Sequence, residues 1–370
     1  VRVLIAPDKF KGSLTAMEAA EAIRDGVLDA FPDAETMLCP IADGGEGTLD
    51  VLYAAGAERV DVEVRGPLDA PVRARYAVLG ETAYIESARA CGIEFVEPSP
   101  EVALAAHTWG VGSLIAHALE RGVRQVVLTV GGTASTDGGS GMLRALGATV
   151  TPSTSLELGG GPLRTVEAVD LSVVRSKFAG IDVRVATDVS NPLLGEKGAA
   201  AVFGPQKGAG ATEIADLEAA LGRWARALHA AGGRDVSDAP GAGAGGGVAG
   251  GAMAALDAVF ESGFDLVCEL TGVPAALDRA DLVITGEGSL DPQSLDGKAP
   301  AGIAARARAR DLPVLAVAGR VALDAAQLTQ LGVADYRALI DHAPSLAYAR
   351  EHAYELLRAQ TADLAGAWAP

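Results

Sequence analysis

The chain has 370 residues, a formal net charge of −18 and 49% hydrophobic residues. It is too long for one ordinary core, and no Lys/Arg cluster gives it the basic face of a nucleic-acid binder. No long repeat, signal peptide or run of about 18 apolar residues is legible, so the expectation is a cytoplasmic protein of two α/β domains with no membrane partner.

In chain order, Val3 to Ala6 reads as a buried strand. Thr15 to Ala30 follows as an amphipathic helix, with Ser13 or Thr15 as its cap and Glu18 completing a capping box on Thr15. Thr36 to Ile41 reads as a second strand. Asp61 to Val64, Val72 to Leu79 and Thr82 to Glu86 near-alternate and are separated by turns at Gly66-Pro67 and Gly80-Glu81, which predicts an antiparallel meander. A helix over Gly110 to Arg121, strands at Gln125 to Val130 and Asp182 to Ala186, and a helix over Thr212 to Ala231 come next. Pro240 to Gly251, almost all Gly and Ala, reads either as a linker or as a close-packed loop able to approach an anion, running into a helix over Ala252 to Val259. Strands at Asp281 to Thr285, Val314 to Ala318 and Tyr336 to Ile340 then alternate with helices at Pro300 to Arg310 and Asp324 to Leu331. That alternation predicts a parallel, doubly wound sheet of roughly five strands assembled from both chain ends. The expected organisation is a discontinuous domain, 1–64 and 262–370, with an inserted mixed-sheet domain, 65–261, and ligands in a cleft between the two.

Cys39, Cys91 and Cys268 share no metal-type spacing and read as buried free thiols in a reducing compartment. The five histidines show no ligand spacing and read as surface or helix residues. The three tryptophans read as packing groups.

Five segments at predicted strand ends combine glycine with charged or amide groups, where open parallel sheets bind ligands. Asp8-Lys9-Phe10-Lys11-Gly12-Ser13 offers two cations ahead of a helix start. Asp43-Gly44-Gly45-Glu46-Gly47-Thr48 offers two acids in a loop free to adopt positive φ. Gly131 to Gly141 is a strand–loop–helix turn carrying Thr133 and Asp137, but it is neither a Walker A segment nor a dinucleotide fingerprint. Asp188 to Leu193 and Gln206-Lys207-Gly208 supply a carboxylate, Asn191 and a lysine. Thr285 to Ser294 with Gly297-Lys298-Ala299-Pro300 is the most polar cluster. On a chain this acidic, an anionic ligand requires cations and N–H groups gathered locally. Lysines, carboxylates and glycine loops together suit phosphoryl transfer, which needs cations for phosphates, carboxylates for Mg²⁺ and one base. Taken alone, these residues reach only a phosphotransferase or another anion-handling enzyme.

These segments, in this order along the whole chain, resemble the class I bacterial glycerate kinases. The matching stretches are Ala6 to Leu14, Pro40 to Thr48, Gly131 to Gly139, Ala186 to Leu193, Pro205 to Ala209, and Thr285 to Gly288 with Asp291, Gln293, Ser294 and Gly297 to Pro300. Departures are small: one extra Gly in Pro240 to Gly247, and Ser135-Thr136 where Thr-Asn is common. The resemblance implies a flavodoxin-like discontinuous domain with an inserted second one, ATP as donor, Mg²⁺, and D-glycerate as acceptor, giving phosphoglycerate, with the 2-phosphate favoured. The protein would be a monomer or homodimer. The assigned roles are hypotheses. Asp188, Lys9 and Asp291 are catalytic. Lys11, Ser13, Asp43, Gly44, Gly45, Thr133, Asp137, Asn191, Lys207, Gln293, Ser294 and Lys298 bind substrate or phosphate. Asp43, Glu287 and Asp291 hold the metal. Another hydroxy-acid kinase is the nearest rival. A sugar-acid-sensing regulator would need a basic helix-turn-helix segment, which is not legible in this sequence. A dehydrogenase would want glycines where Lys9, Lys11 and Ser13 stand.

Overall fold

The computed structural model describes residues 1–42, 44–45, 47–152, 158–295 and 299–368, with Gln293 and Leu295 described by backbone only. Its strands, in chain order, open with β1 (Arg2–Pro7), β2 (Glu35–Leu38), β3 (Glu58–Arg65), β4 (Pro71–Leu79) and β5 (Thr82–Glu86). They continue with β6 (Gln125–Thr129), β7 (Thr149–Thr151), β8 (Ala168–Asp170), β9 (Asp182–Ala186) and β10 (Val259–Glu261). The last are β11 (Leu282–Gly286), β12 (Ser289–Leu290), β13 (Val314–Ala318), β14 (Arg320–Val321) and β15 (Asp335–Ala338).

Chain contacts divide the molecule into two units, one of Val1–Asp43, Asp50–Ala55 and Gly263–Pro370, the other of Gly44–Leu49 and Gly56–Ser262. The second unit therefore takes up the chain at Gly56, before residue 65, because β3 is registered with β4 from Glu58↔Val78 to Arg65↔Pro71.

In the first unit five parallel strands are ordered β15-β13-β11-β1-β2. Renumbered within the unit this is the 2-1-3-4-5 order of flavodoxin-like sheets, whose direction of winding reverses between β1 and β11. Val3 to Ala6, Leu282 to Ile284 and Val314 to Ala318 are buried along their whole length, as a sheet covered on both faces demands. The helix Ala16–Ala30 starts at the predicted capping box, with Thr15 accepting from the Glu18 N–H and Glu18 reaching back to the Thr15 N–H. It buries Ala16, Ala19, Ala20, Ile23 and Val27 on one face. Gly26 lets it touch the helix Ala353–Ala367, since a Cβ there would lie 2.3 Å from the Arg358 carbonyl.

The second unit is built on a mixed sheet ordered β10-β9-β6-β5-β4-β3. Its β3-β4-β5 part is the antiparallel meander, and from β5 onward the strands run parallel. The helix placed at Ala252 to Val259 lies instead at Val248–Ala255, and Val259 to Glu261 form β10 beside β9. All eight residues of that helix are buried, so the Gly/Ala stretch is a close-packed element rather than a linker. Pro100–Glu120 is apolar and long enough, by composition, to cross a membrane, against the expectation of no such run. It is two helices, Pro100–Ala105 and Trp109–Glu120, broken where Ala106 turns extended and the His107 N–H donates to the Pro67 carbonyl.

Candidate active site

In the first unit the chain leaves β1 through a tight plug. Phe10 is 2% exposed and exchanges backbone hydrogen bonds with Leu14, and Gly12 at φ +80° makes the turn. This seats Phe10 in the core and sets Lys9 and Lys11 on either side of it. The plug forms one wall of a cavity of about 450 Å³, shared with Ser13, Asp8, Glu287 and Asp291. The cavity lies at the carboxyl ends of β1 and β11, at the switch point where doubly wound sheets bind ligands. Ser294, fully buried, donates to Glu287 Oε1 at 2.5 Å and accepts the Asp291 N–H at 3.1 Å, which fixes both acidic segments. The far wall is apolar, from Leu339, Leu346, Ala349 and Ala353. Arg320 and Arg350 also line it. Neither was singled out from sequence. Arg320 follows β13, so the strand-end rule could have found it. Arg350 sits on a short helix with no signal. Asp43, Glu46 and Lys298 lie outside the described residues, as does the side chain of Gln293.

In the second unit a smaller cavity, about 230 Å³, lies at the carboxyl ends of β6 and β9. Gly131, Gly132 and Thr133 line it from one loop, Thr187 and Val189 from the next, and Gly245 and Gly246 from a third, with Lys207 between them. The Lys207 side chain is 2% exposed and donates to the Ser135 carbonyl and, at 3.3 Å, to Thr136 Oγ1. Burial lowers its pKa to about 8, against weaker upward pulls from Cys91 and Asp137. Gly246 is required here: a Cβ would lie 2.0 Å from the Ser135 carbonyl and 2.8 Å from Lys207 Nζ.

The other expected residues divide. Asp188 is exposed beside the cavity, with Ser262 Oγ donating to it at 2.8 Å. Its neighbours Thr187 and Val189, not Asp188 itself, form the cavity wall. Asn191 Nδ2 donates to the Lys197 carbonyl at 2.8 Å and braces its own loop. Gly44 adopts φ +74°, and the Gly45 carbonyl accepts from Thr48 Oγ1 at 2.8 Å. Asp137 points inward. It is fully buried and accepts from the Thr108 N–H and Oγ1 and from the N–H groups of Gly139 and Gly141, at 2.8 to 3.0 Å. Those bonds occupy its carboxylate, so it shapes the loop rather than meeting ligand. Asp137→Ala is expected to cost about 3 kcal/mol in urea unfolding, because four buried donors lose their acceptor. A change confined to KM would return it to a ligand role. His107 is not a surface group either. It is 2% exposed, its Nδ1 accepts the Trp109 N–H, and its Nε2 faces Asp69 at 3.1 Å.

Lys9 is half-buried on the larger cavity. Lys9→Ala is expected to raise a Michaelis constant or lower turnover about tenfold or more, the loss of one charged contact worth ~1.4 kcal/mol. Wild-type kinetics would return Lys9 to a solvated-loop role.

The sequence profile of the Glycerate kinase family matches residues 3–369. A Bacillus subtilis (strain 168) glycerate kinase is 40% identical over 370 residues, covering 99% of this chain and 97% of its own. An Escherichia coli K12 glycerate 2-kinase is 41% identical over 339 residues, 90% of this chain and 89% of its own. A crystal structure from Salmonella typhimurium LT2, described as glycerate kinase 2, superposes with a TM-score of 0.86 at 38% identity, covering 99% of this chain and 98% of that one.

Proposed function

The chain belongs to the glycerate kinase family and is a kinase, and from that premise we propose that it transfers the γ-phosphate of ATP to the 2-hydroxyl of D-glycerate. The products are 2-phosphoglycerate and ADP. A bond forms between the glycerate oxygen and phosphorus, the bond to the β,γ-bridging oxygen breaks, and the hydroxyl proton passes to a base, assigned to Asp188.

The observation that carries this reading is the cavity at the β1/β11 switch point. It combines the cations Lys9, Lys11, Arg320 and Arg350 with the apolar wall of Leu339, Leu346, Ala349 and Ala353, a suitable lining for a polyphosphate and a base. The smaller cavity, glycine-lined with one buried ammonium, suits a short hydroxy acid. The donor set fits Mg²⁺ as well. No three His, Cys, Asp or Glu side chains converge among the described residues, and Mg²⁺ brought on a nucleotide needs only one or two carboxylates beside phosphate and water. Glu287, oriented by Ser294, and Asp291 would hold it. When bound it neutralises charge on the transferred phosphate. The three cysteines are buried free thiols, which supports a reducing, cytoplasmic setting.

The test is turnover of ATP with D-glycerate beside a panel of other short hydroxy acids, with the product identified by phosphorus NMR. The expected product is 2-phosphoglycerate, and excess chelator is expected to abolish turnover. A better acceptor in the panel would reassign the substrate. Undiminished turnover in chelator would remove the metal from the reading.

A further inference from the structure

The outer face of β3 and β4 carries a cavity of about 430 Å³ that takes no part in the reaction described above. Arg59, Arg73, Arg75 and Arg89 line it, against the two acids Asp61 and Glu94. That local excess of positive charge stands on a chain whose net charge is −18. Cross-strand pairing accounts for part of it, since Asp61 lies opposite Arg75 and Glu63 opposite Arg73 in the register. The pairing is incomplete, however. Asp61 is held by Arg59 of its own strand at 2.9 and 3.0 Å, with Arg73 reaching it only at 3.9 Å. Arg75 makes no hydrogen bond or close ion pair among the described residues, and its charge acts on Asp61 only through space, across the strand register. Phe95, 41% exposed, adds a ring at the rim. Guanidinium groups from two strands and a helix around one hollow are suited to a small anion with two charged ends.

The fourth arginine links this hollow to the glycine loop. Arg89 Nε donates to Glu86 Oε2 at 2.8 Å, and Glu86 Oε1 accepts the Leu49 N–H at 2.8 Å. Glu86 is 1% exposed, so this pair is a buried tie holding the exit of the Gly44-Gly45 loop. A ligand drawing on the Arg89 guanidinium competes with Glu86 and loosens that tie.

We propose that this cavity is a second anion site for a small phosphorylated carboxylate, with the reaction's own product as its ligand, and that filling it slows turnover through Arg89, Glu86 and Leu49. The identity of the ligand rests on the glycerate kinase reading. The existence of the site does not.

The test titrates 2-phosphoglycerate and, separately, inorganic pyrophosphate into the wild-type enzyme and Arg73→Ala/Arg75→Ala by calorimetry. Both arginines lie on the outer face of the sheet, so the variant is expected to fold and to keep wild-type turnover in the absence of product. The wild type is expected to bind a second equivalent that the variant binds at least about tenfold more weakly, the loss of charge-assisted contacts. Inhibition by added 2-phosphoglycerate at saturating ATP and glycerate should vanish in the variant. Equal stoichiometry and affinity in both proteins, for both probes, would overturn the site. Binding of pyrophosphate without phosphorylation of glycerate would leave the site standing and remove the product as its ligand. Arg75→Glu, which touches no buried pair, is the second variant and should show the same loss.

Discussion

Lys207→Met is expected to lower kcat/KM for glycerate about a hundredfold or more without unfolding the protein. The ammonium is buried, its hydrogen bonds go to neutral oxygens, and it forms no ion pair among the described residues. A buried charge of that kind is costly in the free protein and gains most from an arriving carboxylate. Losing such a buried charge contact is worth ~3 kcal/mol, the hundredfold stated. The pH dependence follows from the lowered pKa of about 8, against 10.5 for an ordinary lysine. Between those values the unfolded chain holds the proton and the folded chain does not, so this group makes stability rise with pH through that window. Below it the folded protein carries the charge at a cost of about 3 kcal/mol. Binding has the opposite sense: KM for glycerate should climb as pH passes 8 and the ammonium is lost. Met removes the buried charge, so the urea midpoint at pH 7 should hold or rise and the KM profile should lose its limb above pH 8. A variant with unchanged kcat/KM would leave Lys207 as a brace between loops.

The contrast between Lys207 and Asp137 shows what the sequence withholds. Asp137 lies in the glycine-rich loop after β6 and Lys207 in a Gly/Pro-framed turn after a short helix, and both read as ligand-binding. Inward and outward side chains are indistinguishable in an aperiodic loop, so only the structure reveals Asp137 spent on Thr108, Gly139 and Gly141. Strands were more legible. β5, β9 and β13 coincide with their predicted ranges, because short apolar or alternating runs bounded by turn residues mark buried strands. The helix Val248–Ala255 was misplaced because glycine normally argues against a helix. Here it serves close approach: a Cβ on Gly251 would lie 2.5 Å from the Gly138 carbonyl. β10 is three residues long, too short for any period to register. His107 escaped notice because its partner Asp69 is 38 residues away and no local spacing joins them.

The two carboxylates that compete for the role of base can be separated by kinetics. Asp188→Asn is expected to cut kcat about a hundredfold or more, within the range for loss of a general base, and to leave ADP affinity unchanged. Asp188 leaves β9 at its carboxyl end and is solvent-accessible, with Thr187 and Val189 on the wall of the cavity assigned to glycerate. Its Oδ1 is already engaged by Ser262 Oγ, which orients the carboxylate and leaves it able to take a proton. Ser262→Ala should therefore reduce kcat more mildly than Asp188→Asn, since it removes the orienting bond and keeps the base. Asp291 lies on the other cavity, beside Glu287, with its N–H held by Ser294. Asp291→Asn removes a charge from the proposed Mg·ATP platform, so it should raise the KM for Mg·ATP about tenfold and shift the Mg²⁺ requirement upward, with a smaller effect on kcat. The pH profile gives an independent reading. A carboxylate base imposes an acidic limb on kcat in the wild type, and that limb should be lost from the residual activity of Asp188→Asn and retained in Asp291→Asn. Weakened nucleotide binding in Asp188→Asn, with the acidic limb lost from Asp291→Asn, would exchange the two roles and move the base to the switch-point cavity of the first unit.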